Sequence, residues 1–141
     1  MSNEFAMKKQ KHLSQAGFSM IELLVVATIM IILTTMALIS YRQAAMNSRN
    51  AKRKTDIQSV RQQLVLYRSD NGCYPGDVTY LGMLATIAAY ASEIPFDPSG
   101  TEANPLYTYT PSGTCNTTEA SGFTLEATLE PDDTAYSVTN P

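Results

Sequence analysis

Residues 17–41 read GFSMIELLVVATIMIILTTMALISY, and this stretch decides the fold of the chain. Its only charged residue is Glu22. A helix rises about 1.5 Å per residue, so about 20 consecutive apolar residues can cross the hydrocarbon core of a bilayer. We therefore predict that residues 18–41 form a transmembrane helix.

The helix is predicted to continue beyond the apolar stretch, because the sequence has no glycine or proline between Phe18 and Ser69. Residues 42–71 form an amphipathic continuation, in which apolar side chains recur at spacings of three and four: Ile57, Val60, Leu64 and Tyr67. Such a stripe indicates a helix packed against a folded domain. Gly72 suits the left-handed conformation that ends a helix, and Pro75 prevents continuation.

Residues 72–141 are predicted to form a globular head that begins with a short helix. Thr79 or Asp77 can cap this helix over residues 81–91. Its shared apolar face comprises Leu81, Leu84, Ala85 and Ala88.

The rest of the head is predicted to form strands. Residues 123–130 alternate between apolar and polar side chains, as a half-buried strand does. Shorter alternating segments lie at Tyr107 and Tyr109 and at Tyr136 and Val138, with turn sequences at residues 111–113 and 131–133. The predicted fold class is α+β: a long N-terminal helix with a small antiparallel β-sheet head packed on its C-terminal half.

Charge is segregated along the chain, although the net charge is only −3. No Lys or Arg follows Arg68, so the rest of the head is anionic and repels nucleic acid phosphates. No nucleic acid partner is expected. Several basic residues fall largely off the apolar stripe and are expected to stay in water: Arg49, Lys52, Arg53, Arg61 and Arg68. The basic residues from Arg42 to Lys54 are expected to face the acidic heads of neighbouring copies.

Residues 1–17 are predicted to form a cleaved leader. They are polar and basic and precede the apolar stretch, whereas an ordinary secretory signal is cleaved after its apolar segment. Met7 is a second candidate start, which would shorten the leader. Cleavage after Gly17 would leave the apolar helix on the mature protein, with a free amine at Phe18.

Glu22 requires an explanation of its own. A carboxylate inside a membrane span costs about 2.5–3.5 kcal/mol on insertion scales. One interpretation is that Glu22 lies at the membrane interface and extends its carboxylate to water. The other is that it pairs with the new amine of Phe18, in its own chain or in a neighbouring copy, which would set the register between copies.

The segment from Gly17 to Glu22, GFSMIE, followed by LLVV, resembles the cleavage and methylation segment of type IV prepilins and type II secretion pseudopilins. The resemblance implies a prepilin peptidase that cuts after Gly17 and methylates the amine of Phe18. It implies that Glu22 meets the N-terminus of a neighbour in a homopolymer. The implied partners are an inner-membrane assembly platform, minor pilins and, before assembly, membrane lipid.

Residues 56–75 look like the end of the long helix in major pseudopilins, with the motifs Asp70-Asn71-Gly72 and Tyr74-Pro75. Family members often carry glycine near Ile31 and proline near Ile39, which let that part of the helix loosen in the filament. This chain has neither, so its helix is predicted to be stiffer than theirs.

Major pseudopilins often bind calcium in a C-terminal acidic loop, which makes Glu130, Asp132 and Asp133 candidate calcium ligands. The alternative explanation is a solvated acidic turn. No other cofactor is expected.

Cys73 and Cys115 are the only cysteines. They are predicted to form a disulfide in an exported head, because oxidised pairs persist outside the cytoplasm. The alternative is two unpaired buried thiols. Enzymatic activity is not expected, because the only histidine, His12, lies in the leader and no glycine-rich phosphate loop is present.

The sequence thus predicts a structural subunit of a type IV pilus-like filament, polymerised through its N-terminal helix. It is expected first in the cytoplasmic membrane and then in a cell-surface pilus or a periplasmic pseudopilus. Two alternatives stay open: a major pseudopilin of a type II secretion system, and a membrane-anchored binding domain that does not polymerise. Basic residues flank the apolar helix on both sides, so they do not decide its orientation.

Overall fold

The computed structural model describes residues 17–91, 93 and 95–141, so the predicted leader lies outside the described residues except for Gly17. The architecture is α+β, as predicted. The elements follow the order α1 (Met20–Asn71), β1 (Tyr74–Pro75), α2 (Tyr80–Thr86), β2 (Thr108–Ser112), β3 (Glu119–Ala120), β4 (Gly122–Leu129) and β5 (Thr134–Thr139).

Helix α1 ends where the sequence predicts. Gly72 has a φ of 85°, and its N–H donates to the carbonyl of Arg68 at 2.7 Å, as in a left-handed helix cap. The helix begins at Met20 rather than at Phe18, because Ser19 takes the capping position. The carbonyl of Ser19 accepts the first helical hydrogen bond from the N–H of Leu23 at 3.2 Å.

The chain divides into two compact units with a boundary between Ile39 and Ser40. In the first unit, the described residues are the start of α1 and the short segment before it. Their large apolar side chains are exposed, for example 92% for Met20 and 71% for Ile39. Within the described residues, α1 is the one helix that is long and apolar enough to cross a membrane, by length and composition.

The second unit contains the head and the C-terminal half of α1. Strand β4 is the centre of an antiparallel sheet of order β2-β4-β5. Leu125 of β4 pairs with Tyr109 on one side and with Val138 on the other. The side chains of Phe123, Leu125 and Ala127 are buried, and the residues between them are more exposed. The three predicted strands are confirmed.

Two features of the strands differ from the prediction. A second sheet, β1 with β3, was not predicted because each strand has only two residues. The predicted turn at residues 111–113 is wrong for Pro111 and Ser112, which pair with Phe123 and Gly122 in the sheet. Proline is tolerated there because β2 is an edge strand. The chain turns only at Gly113, where φ is 66°.

The predicted stripe on α1 forms one wall of the core. Ile57, Val60 and Leu64 are fully buried, in one apolar cluster with Phe123 and Leu125 of β4. The head is therefore packed on the C-terminal half of α1, as predicted.

Helix α2 is shorter than predicted and ends at Thr86. Its cap is Thr79, whose hydroxyl accepts a hydrogen bond from the N–H of Gly82 at 3.1 Å. Of the predicted shared apolar face, only Leu84 is buried. The core side is formed by Tyr80, Met83, Leu84 and Ile87, whereas Leu81, Ala85 and Ala88 are exposed. The larger side chains face inward because they remove more apolar area from water.

Candidate functional site

The predicted processing site precedes α1. Gly17, Phe18 and Ser19 have no regular secondary structure, and Phe18 is 76% exposed. Among the described atoms, none beyond the adjacent residues lies within 4 Å of the position that a Cβ on Gly17 would occupy. The described part of the fold therefore neither buries the bond between Gly17 and Phe18 nor requires glycine at position 17.

Glu22 lies in the first turn of α1. Its N–H donates to the hydroxyl of Ser19 at 3.3 Å, which is one half of a capping box. The spacing Ser19-x-x-Glu22 is a sequence signal for this helix start that our sequence analysis did not use. A carboxylate at a helix N-terminus gains about 0.3–1 kcal/mol from the helix dipole. This gain is smaller than the cost of about 2.5–3.5 kcal/mol of placing a carboxylate in lipid. In lipid, the helix dipole alone would therefore not offset the cost of the Glu22 carboxylate, and a cation beside it would lower that cost further.

The three threonine side chains of the apolar stretch are satisfied within the helix. The hydroxyls of Thr28 and Thr35 donate to carbonyls three residues earlier, each at 2.8 Å. The hydroxyl of Thr34 donates to the carbonyl of Met30 at 2.7 Å. Hydroxyls bonded in this way do not require water, so they are compatible with an apolar surrounding.

The head contains a buried ion pair that the sequence analysis missed. The guanidinium of Arg53 donates to the two carboxylate oxygens of Asp97, with Nε at 2.5 Å and Nη2 at 3.0 Å. The side chains of Arg53 and Asp97 are only 4% and 5% exposed. The hydroxyl and the N–H of Ser99 complete the arrangement at 3.2 Å from Arg53 Nη2 and 2.7 Å from Asp97 Oδ1. This pair fixes the loop around residue 97 to α1.

Glu130, at the end of β4, is held by the same face of α1. Its Oε1 accepts from Nε of Arg49 at 2.9 Å and lies 2.8 Å from Nη2 of Arg53, while its Oε2 accepts from Nη2 of Arg49. The side-chain amide of Asn50 bonds the backbone of Glu130 in both directions, to its carbonyl at 2.7 Å and from its N–H at 3.0 Å. We call Arg49, Asn50, Arg53, Asp97 and Glu130 the arginine clamp.

The clamp shifts the ionisation of both acids. Hydrogen bonds from Arg49 and Arg53 lower the pKa of Glu130 from its ordinary 4.5 to about 2. Burial by itself would raise the pKa of Asp97, but hydrogen bonds from Arg53 and Ser99 outweigh burial and hold that pKa below 3.8. The pKa of Arg53 is raised, chiefly by its hydrogen bond to Asp97. All three groups are therefore charged at neutral pH.

The expectation that Arg49 and Arg53 stay in water and face neighbouring copies is wrong for their positions in the arginine clamp. Arg53 does not stay in water, and Arg49 binds the acidic head of its own chain. Lys52 and Lys54 lie near aromatic faces, 5.7 Å from the ring of Phe96 and 5.6 Å from that of Tyr136. Nothing in the sequence separated Arg49 and Arg53 from their basic neighbours, because their acidic partners are 81 and 44 residues away.

The candidate calcium ligands meet in one turn but do not fit a calcium site as they are arranged. Both carboxylate oxygens of Glu130 are taken by guanidinium groups, whose positive charge repels a cation. Asp132 and Asp133 are exposed. Among residues 17–91, 93 and 95–141, no group of three or more His, Cys, Asp or Glu side chains could hold a metal ion. Calcium binding stays a prediction, and it would require Glu130 to leave both arginines.

Cys73 and Cys115 form a disulfide with their Cα atoms 6.0 Å apart, so the alternative of two unpaired thiols is wrong. The bridge lies beside the small sheet in which Tyr74 pairs with Ala120 and Pro75 with Glu119. It ties the segment that follows α1 to the segment that precedes β4.

Protein-family models, curated proteins and solved structures were all compared with the chain, and none matches it. The interpretation of Gly17, Phe18 and Glu22 therefore rests on their own geometry and on the resemblance in the sequence.

Proposed function

We propose that this chain is a structural subunit of a type IV pilus-like filament, matured by cleavage after Gly17 and polymerised through the N-terminal half of α1. The observation that carries the proposal is Glu22, a single carboxylate in the first turn of α1, where the large apolar side chains up to Ile39 are exposed.

The exposed apolar side chains support assembly through the helix. A helix that is apolar all round is stable only inside lipid or inside protein. Among the described residues, the apolar core of the head begins at Ile57, which lies beyond the apolar stretch. Lipid covers the helix before assembly, and the helices of other copies cover it in the filament.

The chemistry of Glu22 supports pairing with a mature N-terminus. Cleavage after Gly17 creates a primary ammonium on Phe18, and methylation converts it into a secondary one. This group is a cation close to Glu22, in a stretch that otherwise has no basic residue. Pairing across copies neutralises both charges and allows only one axial offset between neighbouring helices. The proposed partners are a prepilin peptidase, an inner-membrane assembly platform and minor pilins, with localisation in the cytoplasmic membrane and then in an extracytoplasmic filament.

The surroundings of Gly17 support recognition by a second protein. Since the described part of the fold does not require glycine there, a requirement for glycine must come from the peptidase that binds this segment. Larger residues at position 17 are therefore expected to block processing and to leave the head folded.

Mass spectrometry of the mature chain, produced in a pilus-forming bacterium, tests the proposal. We expect an N-terminus at methylated Phe18 in the wild type and an intact leader in Gly17→Val. We expect Glu22→Ala to be processed but not assembled. The matched control is Glu126→Ala, which removes an exposed acid from β4 and should assemble normally. An intact leader in the wild type, or normal filaments from Glu22→Ala, would instead favour a membrane-anchored binding domain.

A second candidate within the same class is a major pseudopilin of a type II secretion system. It is favoured by the motifs Asp70-Asn71-Gly72 and Tyr74-Pro75, the first of which forms the end of α1. Deletion of the secretion apparatus of the host cell separates the two, because only a pseudopilin would lose its filament with that apparatus.

A further inference from the structure

The apolar face predicted for α2 is left uncovered in the head except at Leu84. Leu81, Ala85 and Ala88 line an open groove of about 470 Å³ together with Leu84 and Ala91. Leu81 is 40% exposed. Glu93 and Glu102 also line the groove, and both are exposed. We call this surface the alanine groove.

A second uncovered apolar surface lies on α1. Val65 and Leu66 are 37% and 56% exposed, and they line a hollow with Arg61, Gln62 and Pro141. The Nε of Arg61 donates to the carbonyl of Thr139 at 3.0 Å, which holds the guanidinium beside the two apolar side chains. We call this surface the helix patch.

The two surfaces are complementary in charge. The helix patch carries a cation, and the alanine groove carries two acids in a part of the chain that has no Lys or Arg. Among the described residues, the ion pairs all lie in the arginine clamp, and none includes Arg61, Glu93 or Glu102. The helix patch and the alanine groove are therefore complementary both in their apolar surface and in their charge.

The helix patch and the alanine groove belong to different flanks of α1. Arg61 contacts β5 through Thr139, whereas the segment after α2 contacts Tyr67, whose ring lies 5.8 Å from that of Tyr90. Residues 61 and 67 are about 120° apart around a helix with 3.6 residues per turn. A contact between two unlike surfaces of identical copies is head-to-tail, and it propagates into an open helical array when the rotation does not close a ring.

We propose that the helix patch of one copy packs into the alanine groove of the next copy in the filament, with Arg61 opposite Glu93 and Glu102. The proposal rests on the proposed function, because it takes the filament as the source of the second copy. The patch exposes two large apolar side chains, far less than a stable soluble interface needs. The contact forms when the N-terminal helices already hold copies side by side at a high effective concentration.

Cysteine crosslinking in filaments of the full-length chain tests this contact. Val65→Cys combined with Ala88→Cys is expected to give a ladder of disulfide-linked multimers on a non-reducing gel, and each single variant is not. The matched control combines Val65→Cys with Thr128→Cys, an exposed position on the outer face of β4, and is expected to give no ladder. Filaments in which the first pair gives no ladder, or in which both pairs crosslink equally, would overturn the proposal.

A charge exchange gives an independent measurement. Arg61→Glu in the crosslinking background is expected to reduce the ladder about tenfold, because like charges then face each other. Addition of Glu93→Lys and Glu102→Lys is expected to restore it. Near-ultraviolet circular dichroism checks that each variant keeps a folded head. If the triple variant does not recover although its head is folded, the assigned charges are wrong.

The two proposals fail in different ways. If the processed wild-type chain forms no filament, the proposed function and this contact both fail. If filaments form and require Glu22 but the crosslinked ladder is absent, only the contact between heads fails.

Discussion

Removal of the Arg53 side chain is expected to destabilise the head strongly. In Arg53→Met the carboxylate of Asp97 stays buried, at 5% exposure of its side chain, and loses both of its guanidinium hydrogen bonds. Removal of one partner of a buried ion pair typically costs about 3–5 kcal/mol. For a domain of this size, 1 kcal/mol shifts the unfolding temperature by about 4–8 °C. We therefore expect a decrease of roughly 12–40 °C.

Tyrosine circular dichroism in the near ultraviolet is a suitable assay for the full-length chain in detergent. The chain has eight tyrosines and no tryptophan, and every tyrosine except Tyr41 lies at or beyond residue 67. The signal thus reports on the head. Arg49→Met is the matched control, because Arg49 is 36% exposed and Glu130 keeps its contact with Arg53 in that variant.

The double variant Arg53→Met with Asp97→Leu separates the cost of an unpaired buried charge from the cost of altered packing. Replacement of both charges by apolar groups removes the unpaired buried carboxylate, so the double variant should be more stable than Arg53→Met. Equal small decreases for Arg53→Met and Arg49→Met would refute the burial of the pair, and a double variant less stable than Arg53→Met would refute the assigned cause.

Three further results are expected. The stabilisation of the head by Glu130 is complete above its ordinary pKa of 4.5 and is lost as the pH falls through about 2, because its folded pKa is depressed. In acid titrations of stability, Glu130→Gln should lack this loss of stability. An acid profile identical to that of the wild type would contradict the prediction. The unfolding temperature of the wild type tests the predicted calcium site: a rise with calcium that chelation reverses would support it, and no change with excess calcium would remove it. Replacement of Cys73 and Cys115 by serine should lower the free energy of unfolding by about 4 kcal/mol, because the bridge closes a loop with a sequence separation of 42 in the unfolded chain. Denaturant titrations of this variant that agree with the wild type would show that the bridge does not constrain the unfolded chain.

Local patterns were sufficient to predict much of the head. The end of α1 at Gly72 depends on a single left-handed residue, and the strand β4 depends on strict alternation, so both were visible in adjacent residues. Helix α2 was predicted with the wrong buried face, because Tyr80 and Met83 compete with Leu81 for the core. That choice depends on the volume that the sheet and α1 leave free, and local sequence does not contain it.

The apolar helix and its single carboxylate were determined by sequence alone, because hydropathy and helix length depend on neighbouring residues. Only the tertiary structure decided the partners of Arg49 and Arg53. Their acids lie on loops far along the chain, and several basic residues of α1 were equally suitable in the sequence. Folding brings one face of α1 under those loops, and burial then makes the charge pairing specific.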